Sequence, residues 1–177
     1  MNSIKYAFLA FAFLVCSSFS LYGQAAQVDI EDHAAQGVLQ ANKGKYAEAI
    51  KEFTQAIANS PKDSKLYMNR GAMKMQMNDF KGAIDDYSKV IKLSPKDPAG
   101  YYSRAMAKRK MNDYAGAIKD YNTVVKLDPK NLQAFFNRAK AKEKTGDEKG
   151  KIVDYQAAAK LNHPGAQAWL KENNISW

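Results

Sequence analysis

SPKDPAGYYSRAMAKRKMNDYAGAIKDYNTVVKLDPKN, residues 94–131, opens on Ser-Pro-Lys-Asp and closes on Asp-Pro-Lys-Asn, and the same tetrad stands at 60–63. Pro61, Pro95 and Pro129 are thus 34 residues apart, as are Arg70, Arg104 and Arg138. Ala49, Ala83 and Ala117 keep the interval, each followed by Ile, and so do the aromatics Phe53, Tyr87, Tyr121 and Tyr155. A fixed period of this length marks an array of similar units, none able to bury its apolar face alone. Each Pro ends a helix, since its ring clashes with the preceding turn and it has no N–H to donate, and the nearby Asp or Asn can cap the next helix. A second break falls inside each unit, at Lys43-Gly44-Lys45, Met77-Asn78-Asp79, Met111-Asn112-Asp113 and Thr145-Gly146-Asp147. Gly and Asn tolerate the left-handed conformation that closes a helix, so each unit reads as a helical hairpin.

A period of 34 with a small residue mid-hairpin, an aromatic four later and a closing Pro resembles the tetratricopeptide repeat (TPR). Four units fit, at 30–63, 64–97, 98–131 and 132–165, followed by a capping helix and tail over 166–177. The resemblance implies an all-α fold, a right-handed α-solenoid of four hairpins. Small Gly37, Gly71, Ala105 and Ala139 on the first helices can face Ala49, Ala83 and Ala117 on the second. Tyr46, Phe80 and Tyr114 fill the space beside the turns, and the second-helix aromatics can pack toward the following unit. The fourth unit departs from the pattern: Lys151 replaces the small residue, Glu148 replaces the aromatic beside the turn, and Pro164 falls one place late. Terminal repeats are commonly atypical because one side meets water or a cap. Ala166, Trp169 and Leu170 lie at helical spacing on the face such a cap would bury. Ile175-Ser176-Trp177 either folds over it or frays.

Ahead of the array, residues 1–25 carry a basic start at Lys5, an apolar run from Tyr6 to Val15, and small Gly23 and Ala25. That is the pattern of a secretory signal, with cleavage after Ala25 and a short linker over 26–29. The mature chain is then periplasmic or secreted, with no transmembrane segment of its own. A second reading stays open. Leu14-Val15-Cys16 resembles a bacterial lipoprotein box, although Val15 stands where that pattern wants Gly, Ala or Ser, and in it Cys16 is the site of lipidation and the protein is membrane-anchored. Cys16 is also the only cysteine, so the mature domain forms no internal disulfide.

Hydrophobic residues make up 46% of the 177-residue chain and charged residues 25%, which fits one globular domain and excludes disorder. Its net charge is +9, and losing Lys5 with the leader leaves +8, a surface that favours acidic partners. The lysines are scattered through every helical segment, which argues against nucleic acid. Catalysis finds no foothold, and no cofactor is implied: His33 and His163 stand at opposite ends of the array, and no phosphate loop, nucleophile elbow or metal spacing is present. Asp85 and Asp86 are adjacent on a helix and point different ways, which suits a solvated face better than acid–base work.

Arg70, Arg104 and Arg138 could form an anion ladder. Glu52, Asp86, Asp120 and Asp154 also recur every 34 residues, however, so repeated Arg–carboxylate pairs between adjoining helices are the expectation. In the TPR family the first helices line a concave surface that cradles a peptide. By register that implies a groove of Met68, Asn69, Ala72, Met75, Gln76, Tyr102, Ser103, Met106, Arg109, Lys110, Phe136, Asn137, Lys140 and Lys144. Its chemistry suits an acidic or amphipathic protein segment. Family members that grip chaperone-tail carboxylates place Lys and Asn where this chain has Ala34 and Val38, and Lys and Arg where it has Ala99 and Ser103. Only Asn69 matches, which argues against that ligand. The expected function is a non-catalytic binding module outside the cytoplasm. The alternative is a structural or assembly subunit acting through its convex face or terminal helix.

Overall fold

The computed structural model describes residues 32–177. The leader with Cys16, and the linker, lie outside the described residues. The chain divides into two compact units, one reaching Lys62 and one spanning Asp63–Trp177, and the division falls at the junction of the first and second repeats.

In the first unit, helix α1 covers residues 32–42 and α2 runs Tyr46–Asn59. Gly44 makes the turn in the left-handed region, at φ 73°. At Gly37 a Cβ would stand 2.7 Å from the buried Phe53 ring, so the ring lies closer to the first helix than a side chain there would allow without a shift. Gln36 and Gln40 occupy the places that hold Arg and Lys in later repeats, and Glu52 pairs instead with His33 Nδ1 at 2.7 Å.

The second unit holds three hairpins, α3 (Ser64–Gln76) with α4 (Phe80–Leu93), α5 (Pro98–Lys110) with α6 (Tyr114–Leu127), and α7 (Leu132–Thr145) with α8 (Glu148–Lys160), then α9 (Pro164–Glu172). Each helix packs on the next in order. The hairpin turns pass through Asn78 at φ 60°, Asn112 at φ 61° and Gly146 at φ 77°. Asp63, Asp97 and Asn131, just beyond the prolines, accept backbone N–H bonds at the starts of α3, α5 and α7. The second helices start with a device of their own. Asp79, Asp113 and Asp147 each accept the N–H of a glycine three residues on, Gly82, Gly116 or Gly150, at 2.9 Å. A Cβ on any of these glycines would collide with the capping carboxylate. Cap and glycine come as a pair: the first repeat has Lys45 with no side-chain cap, and Glu48 where the glycine would be.

The expected Arg–carboxylate pairs form within every hairpin of this unit. Arg70 holds Asp86, Arg104 holds Asp120 and Arg138 holds Asp154, each through Nε and Nη2 at 2.5–3.0 Å. A lysine one turn further along the same helix completes each set, with Lys74, Lys108 and Lys142 at 2.8, 2.8 and 3.0 Å. All three aspartates are buried. Asp86 therefore does not share the solvated face expected for the Asp85–Asp86 pair: Asp85 is exposed, while its neighbour turns inward to meet two cations.

Tyr87, Tyr121 and Tyr155 each anchor one apolar cluster. The last cluster carries the cap: Ala166 and Leu170 of α9 are fully buried, and Trp169 stacks on Tyr155 at 4.2 Å. Lys151 in the small-residue position lies over the Trp169 ring at 5.5 Å and pairs with Glu148 at 2.6 Å, so the departures of the fourth repeat are accommodations to α9. The tail folds back: Ile175 packs on this cluster and donates to the Leu170 carbonyl at 2.9 Å, and Gln156 donates to the Ser176 carbonyl at 2.7 Å.

Candidate peptide-binding groove

The first helices of the second unit are amphipathic in an unusual sense, with ionic residues facing inward and a mixed polar and apolar set facing out. Arg104 and Lys108 turn to the buried Asp120, while their neighbours Arg109 and Lys110 turn away to line an open cavity. That cavity, of about 660 Å³, is walled by the last turns of α5 and α7, by Tyr114 and Tyr155, and by Gly165, Ala168, Trp169 and Glu172 of α9. Lys140, Lys144, Phe136 and Glu143 complete it. None of Arg109, Lys110, Lys140 and Lys144 has an ion-pair partner among the described residues. Lys140 sits 5.4 Å over the Phe136 ring, and Phe136 stacks on His163 at 4.0 Å.

Two smaller clefts open near the starts of the same helices. Met68 and Asn69 share one of about 280 Å³ with Ser64, Lys65, Val90, Asp97 and Ala99. Tyr102 and Ser103 share another of about 260 Å³ with Pro98, Ala99 and Asn131.

Several groove candidates also hold neighbouring helices together. Asn137 is buried and donates to the Tyr102 hydroxyl at 2.8 Å, so one side of its amide is spent on holding α5 and α7 in register. Ser103 donates to Met68 Sδ at 3.7 Å in the corresponding place between α3 and α5. Met75 packs against the Tyr87 cluster, and Met106 is half-buried and lines none of the three cavities.

Arg109 stands beside two phenols. Burial pushes the Tyr102 hydroxyl up from its ordinary pKa, and the Asn137 hydrogen bond and the Arg109 charge pull it partly back. Tyr121 is driven higher still by burial, again against the pull of Arg109. Arg109 Nε and the Tyr121 hydroxyl are both buried, and neither has a partner of good geometry among the described residues. Tyr155, under the cavity floor, is pushed up to about 12 by burial, with the Glu143 carboxylate adding to the effect.

His163 caps α9 as its Nδ1 accepts the Ala166 N–H at 3.2 Å, which requires the neutral ring. Desolvation lowers its pKa in keeping with that role. Among the described residues no three His, Cys, Asp or Glu side chains gather as metal ligands, and no helix is long and apolar enough to cross a membrane.

The walls that sequence reasoning missed are Tyr114, Tyr155 and Trp169, all read there as packing residues. Tyr155 and Trp169 do pack in the last apolar cluster, and all three rings also line the cavity.

Tetratricopeptide repeat models match residues 33–63 and 64–97, and a TPR repeat model matches 106–146. The chain belongs to the tetratricopeptide-repeat family, and its fold is an all-α TPR solenoid. Among solved structures, a crystal structure of MamA is similar with a TM-score of 0.74 at 18% identity, covering 82% of this chain and 87% of that one. The first TPR of Spaghetti (RPAP3) bound to the HSP90 peptide SRMEEVD gives 0.64 at 24%, covering 67% and 94%. The second TPR domain of human RPAP3, in complex with the HSP70 peptide SGPTIEEVD, gives 0.63 at 25%, covering 66% and 98%. No curated protein matches the chain.

Proposed function

We propose that this protein is a non-catalytic interaction module, acting outside the cytoplasm, whose second unit holds a peptide or protein segment against the first helices of its hairpins. The observation that carries the reading is that each of the three cavities described above opens on residues at or within the first helices α3, α5 and α7. Asn69 offers a peptide backbone both a donor and an acceptor, Met68 offers adaptable apolar contact, and the cations further along offer charge to carboxylates. Two RPAP3 domains of the same fold hold peptides that end in acidic residues, which supports an acidic segment as the ligand class here. The reading places the protein in the periplasm or the medium because residues 1–25 have the composition of a secretory signal.

Selection of a displayed random-peptide library on the purified protein tests the binding claim. Enriched peptides should lose affinity on Met68→Glu and on Tyr102→Ala. No enrichment, or peptides indifferent to both changes, would overturn it. The mass of the protein recovered from its own cell tests export: cleavage after Ala25, or acylation at Cys16, supports it, and an intact leader on cytosolic protein refutes it.

A further inference from the structure

The cations of the second unit fall into two populations that differ by one step around the same helix. Arg70, Lys74, Arg104, Lys108, Arg138 and Lys142 are consumed by buried aspartates. Arg109, Lys110, Lys140 and Lys144 make no ion pair among the described residues, and all line one cavity. Repeat 2 contributes no charge at the corresponding places, since Met75 and Gln76 stand where Arg109 and Lys110 stand one period later. The cleft beside Met68 and Asn69 holds one lysine, Lys65, with Asp97 facing it, so the excess of positive charge gathers at the α9 end of the groove.

That cavity also has an apolar floor. Trp169 is held flat against Tyr155, and Phe136 meets Tyr155 edge-on at 5.7 Å and stacks on His163, so all three rings are fixed in place. Their free edges, with Ala168 and Gly165, face the opening. An edge-to-face contact with an incoming aromatic ring suits this floor, because a ring edge is positive and a ring face negative. Glu143 and Glu172 also line the cavity, so four cations stand against two carboxylates there, a modest positive excess that suits a few well-spaced carboxylates better than the dense charge of a run of phosphates.

Building on the groove reading above, we propose that this cavity is a subsite for an aromatic side chain flanked by carboxylates in a partner peptide. The ring enters against Phe136 and Trp169, with carboxylates on Arg109 and Lys110 to one side and on Lys140 and Lys144 to the other. Helix α9 is then part of the site as well as the cap of the array, because Trp169 and Glu172 belong to it. Arg109 supplies the most directional contact, since it lines the cavity and its guanidinium can hold a carboxylate through two bonds.

Trp177→Phe leaves Trp169 as the only tryptophan, so its emission reports on the floor of the cavity. The probe is a Gly-flanked Glu-Asp-Phe-Glu-Asp peptide, compared with its Gln-Asn-Phe-Gln-Asn and Glu-Asp-Ala-Glu-Asp relatives. The first should shift Trp169 emission and bind at least about tenfold more tightly than either relative. Lys140→Glu with Lys144→Glu should weaken it by at least about tenfold, and Lys130→Glu, outside the cavity, by less than about twofold. Equal losses from the cavity and the Lys130 reversals, or binding without a change at Trp169, would overturn the proposal. So would a single-stranded oligonucleotide that binds more tightly than the peptide and depends on Lys140 and Lys144. If library peptides still bind through Met68 and Tyr102 while the acidic aromatic probe does not, the subsite falls and the groove stands. If neither binds, both fall.

Discussion

Asp120 holds a buried electrostatic position that Asp86 and Asp154 repeat in the neighbouring hairpins. It is 4% exposed and accepts from Arg104 Nε at 2.9 Å, Arg104 Nη2 at 2.7 Å and Lys108 Nζ at 2.8 Å. Asp120→Ala removes the shared anion and leaves two cations, with side chains 21% and 19% exposed, facing one another without a counter-charge. Breaking a buried pair from one side costs about 3–5 kcal/mol. Both cations keep some water, and Arg104 keeps the Ser88 hydroxyl at 3.1 Å, so the lower end applies, about 3 kcal/mol. That is a large share of the roughly 5–15 kcal/mol that stabilises a typical domain. Asp120→Asn keeps an acceptor for one cation and should cost less, about 2 kcal/mol. Replacing the whole set, as Arg104→Met, Lys108→Met and Asp120→Leu together, removes the charges along with the need to pair them, and should land within about 1 kcal/mol of the parent. Urea unfolding followed by circular dichroism and by tryptophan emission measures all four proteins, with coincident transitions licensing the free energies. A single change costing under about 1 kcal/mol, or a triple variant as unstable as the single, refutes this account of the ladder.

Leu170→Ala, at a fully buried position in α9, should cost about 2–5 kcal/mol and expose Trp169, seen as a red shift in its emission. Asp113→Ala should cost about 1 kcal/mol through the lost cap, and adding Gly116→Ala should recover most of it through helix propensity; Gly116→Ala alone should gain nothing, because its Cβ displaces the capping carboxylate. His163 gives a pH dependence of definite sign. Its pKa is lowered in the folded state, so the unfolded chain binds the proton more readily, and stability holds above about pH 6.5 and declines as the pH falls through the folded value. His163→Asn keeps a cap without a titrating ring and should flatten that decline in urea titrations between about pH 7 and pH 5.

The hairpins and their turns were legible because the period of 34 repeats the same breakers, and Pro, Gly and Asn act locally. The Arg–Asp pairs were legible for the same reason, as two columns of opposite charge at one interval. Lys74, Lys108 and Lys142 form a third column at that interval, and so do Gly82, Gly116 and Gly150, yet neither was read. A lysine at helical spacing from an arginine looks like ordinary surface, and a helical glycine looks like a weakness until its partner aspartate is seen occupying the space of a Cβ. The candidate groove was legible only by helix face. Asn137 and Tyr102 both fall on that face, but a face assignment cannot show that two members of adjacent repeats satisfy each other. The cavity wall from α9 was hidden because Trp169 has two roles, and burial of one ring face says nothing of what its edge borders.

Because each helix of the second unit packs chiefly on its neighbours in sequence, and each ion set closes inside its own hairpin, the array has a natural unit of length. Met68 reaches Ser103 and Tyr102 reaches Asn137, both 35 residues on, so an interface between repeats is one offset applied twice. A duplication or loss of 34 residues would therefore join equivalent surfaces and leave every internal ion set intact, whereas a gain or loss of any other length would misalign all that follow. Inheritance could lengthen or shorten the groove in whole steps while the α9 end, with its distinct chemistry, stays in place.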